Sequence, residues 1–445
     1  MKNRQTVNVF RCCLYTLLGS CVSAAVPQWP TWRGPGMSGV SPDGRPPLRW
    51  SETENIRWKV KLTGDGSNST PVVWGDKLFF QMAVPTDQTE GSEAEAGQQT
   101  ERRGPGGRRP RNVYRFSVVC LDRHTGKTLW ETVVRQARPH EGHHSDHGFA
   151  SYSPITDGVH LWANFGSQGL YCLDLDGQLK WKQDFGPFTI RAGFGEGGSP
   201  ALAGDAVIVL HDHEGDSFIA AVHKETGKIL WKKKRDEKTS WTSPLVVEAA
   251  GKMQVIVTGH NRTRSYDAKT GDIIWECGGG QTQNVVPTPV TGFGMVFCTS
   301  GFRGAKLQAI RLDRTGDLTG TDAVVWEVNQ HTPYVPSPLL YEGKLYVFSS
   351  NNPVLSCYDA QTGKPYYTAQ RLEGLNMVYA SPVGAAGRVY AVGRNGTVCV
   401  LKNSETLEVL AVNKLEDGFD CSPVIVGPTL YLKGKQNLYC ISEEK

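Results

Sequence analysis

The chain has 445 residues, of which 50 are glycine and 21% are charged. This composition excludes wholesale disorder and suits many short strands joined by tight turns, so we predict an all-β protein. Of the 48 basic residues three lie in the first 25 positions, which leaves 45 against 44 acidic residues. That balance excludes a nucleic-acid partner bound through a concentrated basic face.

The N-terminal segment has the pattern of an export signal. Residues 1–11 are polar and contain three basic side chains, whereas residues 12–25 are small and apolar. The apolar stretch is too short for a membrane span, which needs about twenty residues. We therefore predict a signal peptide over residues 1–25 and export to the periplasm.

Two cleavage sites in this leader stay open. Leu18-Gly19-Ser20-Cys21 is similar to a bacterial lipobox, which implies cleavage before Cys21 and a lipid on its sulfur. Ser23-Ala24-Ala25 is a plain signal-peptidase site instead. The protein is then either a membrane-anchored lipoprotein facing the periplasm or a soluble periplasmic protein. In both cases we expect membrane contact only through an N-terminal lipid.

The first strand predicted after the leader stands alone. Residues 55–60 alternate the apolar side chains Ile56, Trp58 and Val60 with polar ones, which indicates a half-buried strand. No other predicted strand precedes it. It must therefore pair with a strand from elsewhere in the chain.

From Thr70 onwards, a Ser/Thr-Pro pair recurs and defines an internal repeat. The eight pairs begin at Thr70, Ser153, Ser199, Ser243, Thr288, Ser337, Ser381 and Ser422. After the second pair, the prolines follow one another at intervals of 41 to 49 residues, which is the length of a four-stranded propeller blade. The longer first interval contains residues 85–112, acidic and then rich in Arg, Gly and Pro, which we predict to be a disordered insertion within blade 1.

Each repeat carries an Asp-x-x-Thr-Gly-Lys type of turn and then an aromatic residue in its fourth strand. The aromatic residues are Trp130, Trp181, Trp231, Trp275, Trp326 and, more loosely, Tyr367. We predict that they fill the wedges between blades. Four cysteines occupy equivalent positions just before the turns, which predicts buried free thiols and not a disulfide framework; they are Cys120, Cys172, Cys357 and Cys440.

The last repeat is incomplete. After Pro423 the chain has room for three strands, and the strand around Trp58 can supply the fourth. We therefore predict an eight-bladed β-propeller of four-stranded blades over residues 29–442, closed by an N-terminal strand so that no sheet edge stays open.

The repeat resembles the pyrroloquinoline-quinone-like (PQQ-like) repeat. The resemblance covers residues 29–441, and the opening Trp29-Pro30-x-Trp32-Arg33-Gly34-Pro35 is similar to that of bacterial PQQ-binding-like envelope propellers. Such repeats occur in quinoprotein alcohol and glucose dehydrogenases and in the outer-membrane assembly lipoprotein of the Bam complex, which binds no quinone. The resemblance therefore implies the fold, and function has to be argued from the site.

Loops between second and third strands, and between successive blades, emerge on one face of a propeller, and the irregular polar residues of this chain concentrate there. We predict that this face binds an envelope protein, a peptide or a glycan. The candidate residues are His140, Glu141, His143, His144, Asp146, His147, His211, Asp212, His213, Asp216, Asn261, Arg262, Arg303, Asn351 and Arg394.

The segment from His140 to His144 formally matches the His-Glu-x-x-His pattern of zinc peptidases. It lies in a loop after Pro139, where no helix can place both histidines on one face, which excludes a peptidase. Two interpretations stay open: a metal site that uses His143, His144 and His147, and a solvated polar loop.

The enzymatic alternative is a quinoprotein dehydrogenase. The resemblance implies that such an enzyme holds PQQ in its central channel with a calcium ion, an aspartate base and usually a vicinal disulfide. The only adjacent cysteines here, Cys12 and Cys13, lie in the leader, and there is no Cys-x-x-Cys-His haem motif. We expect a non-catalytic binding or scaffold protein of the cell envelope without a cofactor, and keep a dehydrogenase with PQQ and calcium as the alternative.

Overall fold

The computed structural model describes residues 1, 26–64, 68–91 and 106–443. In this part of the chain the strands form eight sheets, each built on four antiparallel strands that succeed one another from the centre of a ring outwards. The predicted all-β, eight-bladed propeller is confirmed.

The strands of each blade are as follows, from the innermost to the outermost. Blade 1 has Val72–Trp74, Lys77–Thr89, Asn112–Asp122 and Thr128–Ala137. Blade 2 has Ile155–Thr156, His160–Asn164, Leu170–Asp174 and Leu179–Gln183. Blade 3 has Ala201–Ala203, Ala206–His211, Phe218–His223 and Ile229–Lys234. Blade 4 has Leu245–Ala249, Lys252–Thr258, Thr263–Asp267 and Ile273–Cys277.

The second half of the ring repeats this order. Blade 5 has Val290–Gly292, Met295–Ser300, Lys306–Arg311 and Val324–Val328. Blade 6 has Leu339–Tyr341, Lys344–Ser349, Asn352–Asp359 and Pro365–Arg371. Blade 7 has Val383–Ala385, Arg388–Val392, Thr397–Lys402 and Val409–Lys414. Blade 8 has Val424–Val426, Thr429–Lys433, Asn437–Ile441 and Ile56–Lys61. Short strands Gln28–Trp29, Val40–Ser41 and Gly316–Asp317 and the 3-10 turns Pro35–Met37, Gly166–Gln168 and Arg191–Gly193 complete the fold.

Blade 8 is closed by the N-terminal strand, as predicted. Ile56–Lys61 pairs antiparallel with Asn437–Ile441, and Trp58 lies opposite Cys440 in that pairing. Ile56 and Trp58 on the apolar face of the N-terminal strand pack in the same hydrophobic core as the side chains of the last strand, so the two ends of the chain share one core. The ring is therefore held by backbone hydrogen bonds between its two ends.

The fourth-strand tryptophans fill the wedges between blades. The indole of Trp231 donates a hydrogen bond to the carbonyl of Ala268 in the turn of the next blade, at 3.0 Å. Gly271 of that turn has a φ of +72°, and a Cβ there would lie 2.6 Å from the Trp231 ring. Glycine is required by both the backbone conformation and the close approach. Trp58, Trp130, Trp181 and Trp326 make the same contact.

Trp275 departs from this pattern. It is fully buried in the core between blades 4 and 5, but its indole donates to Gln254 Oε1 within its own blade at 3.2 Å. The carbonyl at the matching position of blade 5, that of Leu312, instead accepts a hydrogen bond from Gln254 Nε2 at 3.2 Å, so Gln254 lies between the indole and that turn. The prediction that Trp275 fills the wedge between two blades is confirmed by its complete burial there.

The eight Ser/Thr-Pro pairs form a closed ring of hydrogen bonds around the channel. At every pair, the backbone amide of the Ser or Thr donates to the side-chain hydroxyl of the equivalent residue in the next blade, at 2.9 to 3.2 Å. The ring closes where the amide of Ser422 donates to Thr70. We call these eight side chains the hydroxyl ring. It lies at the start of the inner strands, next to the loop-rich face, which we call the upper face.

The N-terminal segment crosses the lower half of the channel before it joins blade 8. Gln28–Trp29 pairs with the inner strand of blade 1, and Val40–Ser41 pairs with that of blade 7. Between them, the buried guanidinium of Arg33 donates to the carbonyls of Pro338 and Pro382, both at 2.8 Å. Burial lowers the pKa of Arg33 to about 9. This segment, residues 28–41, is called the plug.

All eight cysteines between Cys120 and Cys440 are free and buried, which confirms the thiol prediction. Burial raises the pKa of the Cys120 and Cys172 thiols to about 12, so they are protonated and inert at neutral pH.

The predicted disordered insertion is wrong at both ends. Strand Lys77–Thr89 runs through Pro85, and Thr89 pairs with Asn112. Polar side chains stabilise this pairing, since the Thr86 hydroxyl donates to the carbonyl of Val113 and Asn112 Nδ2 donates to the carbonyl of Thr86, both at 2.8 Å. Residues 92–105 lie outside the described residues, as do the predicted signal peptide after Met1 and the lipidation site at Cys21.

Among the described helices, none has the length and apolar character of a membrane span.

Candidate functional site

The centre of the upper face holds a cavity of about 390 Å³. Its lining includes one residue per blade, always the residue two positions before the Ser or Thr of the hydroxyl ring. These residues are Asn68, Ser151, Gly197, Trp241, Val286, Val335, Tyr379 and Asp420. These lining residues have the same register in the repeat as the Ser/Thr-Pro pairs, but they were not predicted from the sequence.

A second chamber, of about 130 Å³, lies directly below. The whole hydroxyl ring lines it, Trp32 of the plug reaches it from the other end, and it shares Asn68, Trp241 and Tyr379 with the upper cavity. The two spaces are therefore continuous. We call them together the central well, which is open at the upper face and has the plug below it.

Aromatic side chains form one wall of the well. The indole of Trp241 donates to the carbonyl of Gly195 at 2.7 Å, and its ring packs edge-to-face on Phe194 at 6.2 Å. Further round, the rings of Phe302 and Tyr334 pack together at 4.8 Å. These aromatic side chains come from loops of different blades, so their positions relative to one another depend on closure of the propeller. None of them was predicted.

The opposite wall is polar and centres on Arg394. Its Nε donates to Asp420 at 2.6 Å and its Nη2 to Asp146 at 2.9 Å, while Tyr379 donates to Asp146 at 3.1 Å. The guanidinium also lies over the Tyr379 ring, 4.1 Å from its centre. Hydrogen bonding to Arg394 lowers the pKa of Asp146 below its usual range. Two of the predicted residues, Asp146 and Arg394, are thus brought together across the mouth.

Of the four histidines in residues 140–147, which we call the histidine loop, only two line the well. His144 and His147 line the upper cavity, whereas His143 packs against Phe149, with 4.4 Å between ring centres. Burial lowers the pKa of His147 to about 4, so it is neutral at physiological pH. The Nδ1 atoms of two histidines form hydrogen bonds within the loop. That of His143 bonds to the carbonyl of His144, and that of His147 bonds to the carbonyl of Gly148 and the hydroxyl of Ser151.

No three side chains of His, Cys, Asp or Glu come together to hold a metal ion in the part of the chain that the structure describes. The metal site that uses His143, His144 and His147 therefore has no support in the geometry. The loop turns each imidazole towards its own backbone, so the three rings do not converge.

His140 and Glu141 point away from the well. His140 Nε2 lies 2.5 Å from the carbonyl oxygen of Phe188, and Glu141 accepts a hydrogen bond from the amide of Ile190 at 3.0 Å. Both line a small separate cavity of about 30 Å³ together with the partly buried Glu196. Burial raises the pKa of the Glu196 carboxyl.

The second predicted loop is a neighbour of the first but does not line the well. His211 is buried among phenylalanine rings, 4.2 Å from that of Phe188, and burial lowers its pKa to about 3. Asp212 forms a fully buried ion pair with Arg235 at 2.7 Å. His213 also packs on Phe188, with 5.2 Å between ring centres.

The remaining predicted residues lie on the upper loops outside the well. Asp216 forms an exposed ion pair with Lys234 at 3.2 Å, and Arg262 pairs with Asp317 at 3.0 Å. The backbone amide of Asn261 donates to Glu237 Oε2 at 2.6 Å. Arg303 lies 5.3 Å from the centre of the Phe302 ring, and the side chain of Asn351 accepts a hydrogen bond from the amide of Val335. These side chains shape the loops without entering the well.

This architecture is similar to that of known proteins. The chain matches the family model described as outer membrane protein assembly factor BamB over residues 115–368 and 215–445. It is similar to the crystal structure of BamB from Moraxella catarrhalis, with a TM-score of 0.54 and 13% identity over 81% of this chain and 98% of that one.

Two further structures share the fold. The quinohemoprotein alcohol dehydrogenase from Comamonas testosteroni has a TM-score of 0.60 and 11% identity, over 94% of this chain and 80% of that one. The computationally designed protein Ika8 has a TM-score of 0.51 and 11% identity, over 74% of this chain and 92% of that one. No curated protein sequence matches the chain. At these identities the structural matches establish the fold alone.

Proposed function

Since the chain belongs to the BamB family of PQQ-like repeat propellers, we propose that it is a non-catalytic binding protein of the cell envelope whose ligand enters the central well. The observation that carries the proposal is the repeat itself. Eight Ser and Thr hydroxyls build the frame, while the eight residues two positions earlier line the opening and are of seven different types. A constant frame with varied lining residues is the arrangement of a recognition site.

The charged groups around the well support binding over catalysis. A general base has to be free to take a proton from its substrate. Asp146 and Asp420 are instead both bound to Arg394, so neither carboxylate is free to accept a proton.

The residues of the well do not fit a quinone with calcium. PQQ carries several carboxylates, so its pocket needs free cationic side chains, and calcium needs several carboxylate or carbonyl oxygens. Within the described well, Arg394 already binds two carboxylates, and these same carboxylates are the oxygens that calcium would require. We therefore do not propose the dehydrogenase. A stoichiometric quinone absorbance spectrum after incubation with PQQ and calcium would reverse this choice.

The name of the family, outer membrane protein assembly factor, supports an envelope location and a partner that is a protein or peptide. The predicted leader supports export, either as a periplasmic protein or as a lipoprotein. A glycan of the envelope stays the other candidate ligand, since the well is too small for a folded domain and admits a side chain, a chain end or a few sugar units.

The test is capture from envelope extracts by the immobilised chain from Val26 onwards. Trp241→Ala removes a wall of the well, and Phe293→Ala, which changes an exposed aromatic residue distant in the fold, is the matched control. We expect the control to capture the same peptides, proteins or glycans as the parent and Trp241→Ala to lose them. Equal capture by all three proteins would show that the well is not the site.

A further inference from the structure

The central well has two chemically different sides. In the order of the blades, Trp241, Val286 and Val335 form a contiguous apolar arc, extended by Phe194 and Phe302. Blades 7, 8, 1 and 2 contribute the polar residues Tyr379, Asp420, Asn68 and Ser151, and Gly197 of blade 3 completes the circle without a side chain. A ligand that fills this space has to present an apolar face to one arc and hydrogen-bonding groups to the other.

The lower chamber offers hydrogen-bond donors. Each hydroxyl of the ring accepts one amide hydrogen bond from the neighbouring blade and keeps its own O–H for an acceptor elsewhere. The indole Nε1 of Trp32 is buried and has no hydrogen-bond partner among the described residues, and Trp32 lines the same chamber. The ligand or its bound water therefore has to supply acceptor oxygens.

The charges in the well cancel. Arg394 binds Asp146 and Asp420, Lys435 lies 3.5 Å from Asp420, and His147 is neutral at physiological pH because burial lowers its pKa to about 4. A strongly charged ligand would lose its hydration and find no free counter-charge here. The well therefore selects against free ions, phosphates and cationic peptides.

We infer that the central well binds a neutral, hydroxyl-rich ligand, namely the end of a carbohydrate chain. The C–H face of a sugar ring packs on the apolar arc at Trp241. The sugar hydroxyls form hydrogen bonds with the polar residues of blades 7, 8, 1 and 2 and with the hydroxyl ring. A volume of about 390 Å³ holds one or two sugar units. This inference rests on the proposed function and names the class of its ligand.

The experiment is isothermal titration of the chain from Val26 onwards with cellobiose, maltose and N,N′-diacetylchitobiose. We expect saturable one-to-one binding of at least one of the three. Trp241→Ala should weaken it about tenfold by loss of ring packing, and Trp32→Phe about fivefold by loss of one hydrogen-bond donor. Phe293→Ala should bind like the parent.

Two further measurements keep the test decisive. Thermal unfolding of every variant separates a loss of binding from a loss of folding, and Trp32→Phe keeps a ring in the plug. Quenching of tryptophan fluorescence by the sugar should disappear in Trp241→Ala, which a purely structural role of that residue would not produce in a folded variant.

The possible outcomes separate this inference from the proposed function. If none of the sugars binds while envelope peptides or proteins are still captured in a Trp241-dependent manner, the carbohydrate inference is overturned and the binding function stands. If neither sugars nor envelope components bind the well, both fail. Sugar binding that survives unchanged in Trp241→Ala would place the site elsewhere and would also overturn the inference.

Discussion

Arg394 joins two parts of the chain that are 248 positions apart, since the same guanidinium binds Asp420 of its own region and Asp146 of the histidine loop. The Asp420 side chain is only 5% exposed, so loss of Arg394 would leave a nearly buried carboxylate with only the half-exposed Lys435, 3.5 Å away, as its counter-charge. Arg394 is therefore the main side chain that gives the rim of the well its shape and its neutrality.

Arg394→Ala should lower the free energy of unfolding by about 2 kcal/mol, less than for a fully buried pair because Asp146 is partly exposed. Urea unfolding measures the change. Arg314→Ala, which removes an exposed guanidinium at the edge of the molecule, should stay within about 0.5 kcal/mol of the parent. Equal effects of the two substitutions would contradict a structural role of Arg394.

His211 gives the fold a dependence on pH. Burial lowers its folded-state pKa to about 3, whereas an imidazole in the unfolded chain titrates near 6.5. As the pH falls below about 6.5, the unfolded chain takes up a proton that the folded chain refuses, so this residue costs about 1.4 kcal/mol of stability per pH unit until the pH nears 3.

His211→Phe should remove this contribution, because phenylalanine keeps the ring among the neighbouring phenylalanines without a titrating group. The slope of the unfolding free energy against pH, measured by urea unfolding between about pH 6.5 and 4.5, should decrease by about one proton. Phe293→Ala, at a side chain that is 51% exposed and carries no titrating group, is the control and should leave the slope unchanged. An unchanged slope in His211→Phe would refute the assignment.

The burial of His211 also shows why the candidate site was only partly predictable. In the sequence, His211 and His213 stand beside polar residues and suggest a solvent-exposed loop. Phe188 comes from the connection between blades 2 and 3 and covers both rings. Such contacts between separate loops are set by the closed ring and leave no local pattern.

At the scale of elements, the Ser/Thr-Pro pairs do more than mark the repeat. Each hydroxyl satisfies a backbone amide of the neighbouring blade next to the proline, where no strand partner is available. The spacing of these pairs made the blades predictable, because one pair is needed per blade. Their hydrogen bonds were not predictable, since they join residues that are 41 to 83 positions apart, or 352 across the closure.

Ser337→Ala should cost about 1 to 3 kcal/mol, because the buried amide of Thr288 loses its acceptor. Ser404→Ala removes a hydroxyl from an exposed turn and should change the stability by less than about 0.5 kcal/mol. Denaturant unfolding compares the two. If Ser337→Ala were as stable as the parent, the hydroxyl ring would contribute nothing to blade packing.

Trp231→Ala should destabilise the chain by about 3 to 5 kcal/mol, since it empties a wedge between blades 3 and 4. Guanidinium unfolding followed by circular dichroism gives the value. Phe293→Ala is again the exposed aromatic control. Because the wedge lies outside the well, any folded Trp231→Ala protein should bind its ligand like the parent, and a selective loss of binding would count against this role.

At the scale of the whole molecule, the closure of the ring was predictable because the strand around Trp58 and the incomplete last repeat are both visible locally. The plug was not, although its residues were noticed. The acceptors of Arg33 are the carbonyls of Pro338 and Pro382, more than 300 positions away, and nothing near Arg33 in the sequence indicates them.

A chain that starts after Lys61 should aggregate, because it lacks the plug and leaves the strand Asn437–Ile441 with an unpaired edge. A chain that starts at Val26 should be monomeric. Size-exclusion chromatography with light scattering distinguishes them. A monomeric, folded protein without residues 26–61 would show that the N-terminal strand is dispensable for closure.

The path of the plug also fixes the direction in which the protein faces when it is tethered. The amide of Gly75, in the turn between the first two strands of blade 1, donates to the carbonyl of Pro27 at 2.8 Å, so the N-terminal residues leave from the side opposite the mouth. The last strand, Asn437–Ile441, ends on that same side. We predict that a lipid or other attachment joined just before Val26 or just after Ile441 would leave the open mouth facing away from the supporting surface, where a large ligand can approach without steric hindrance.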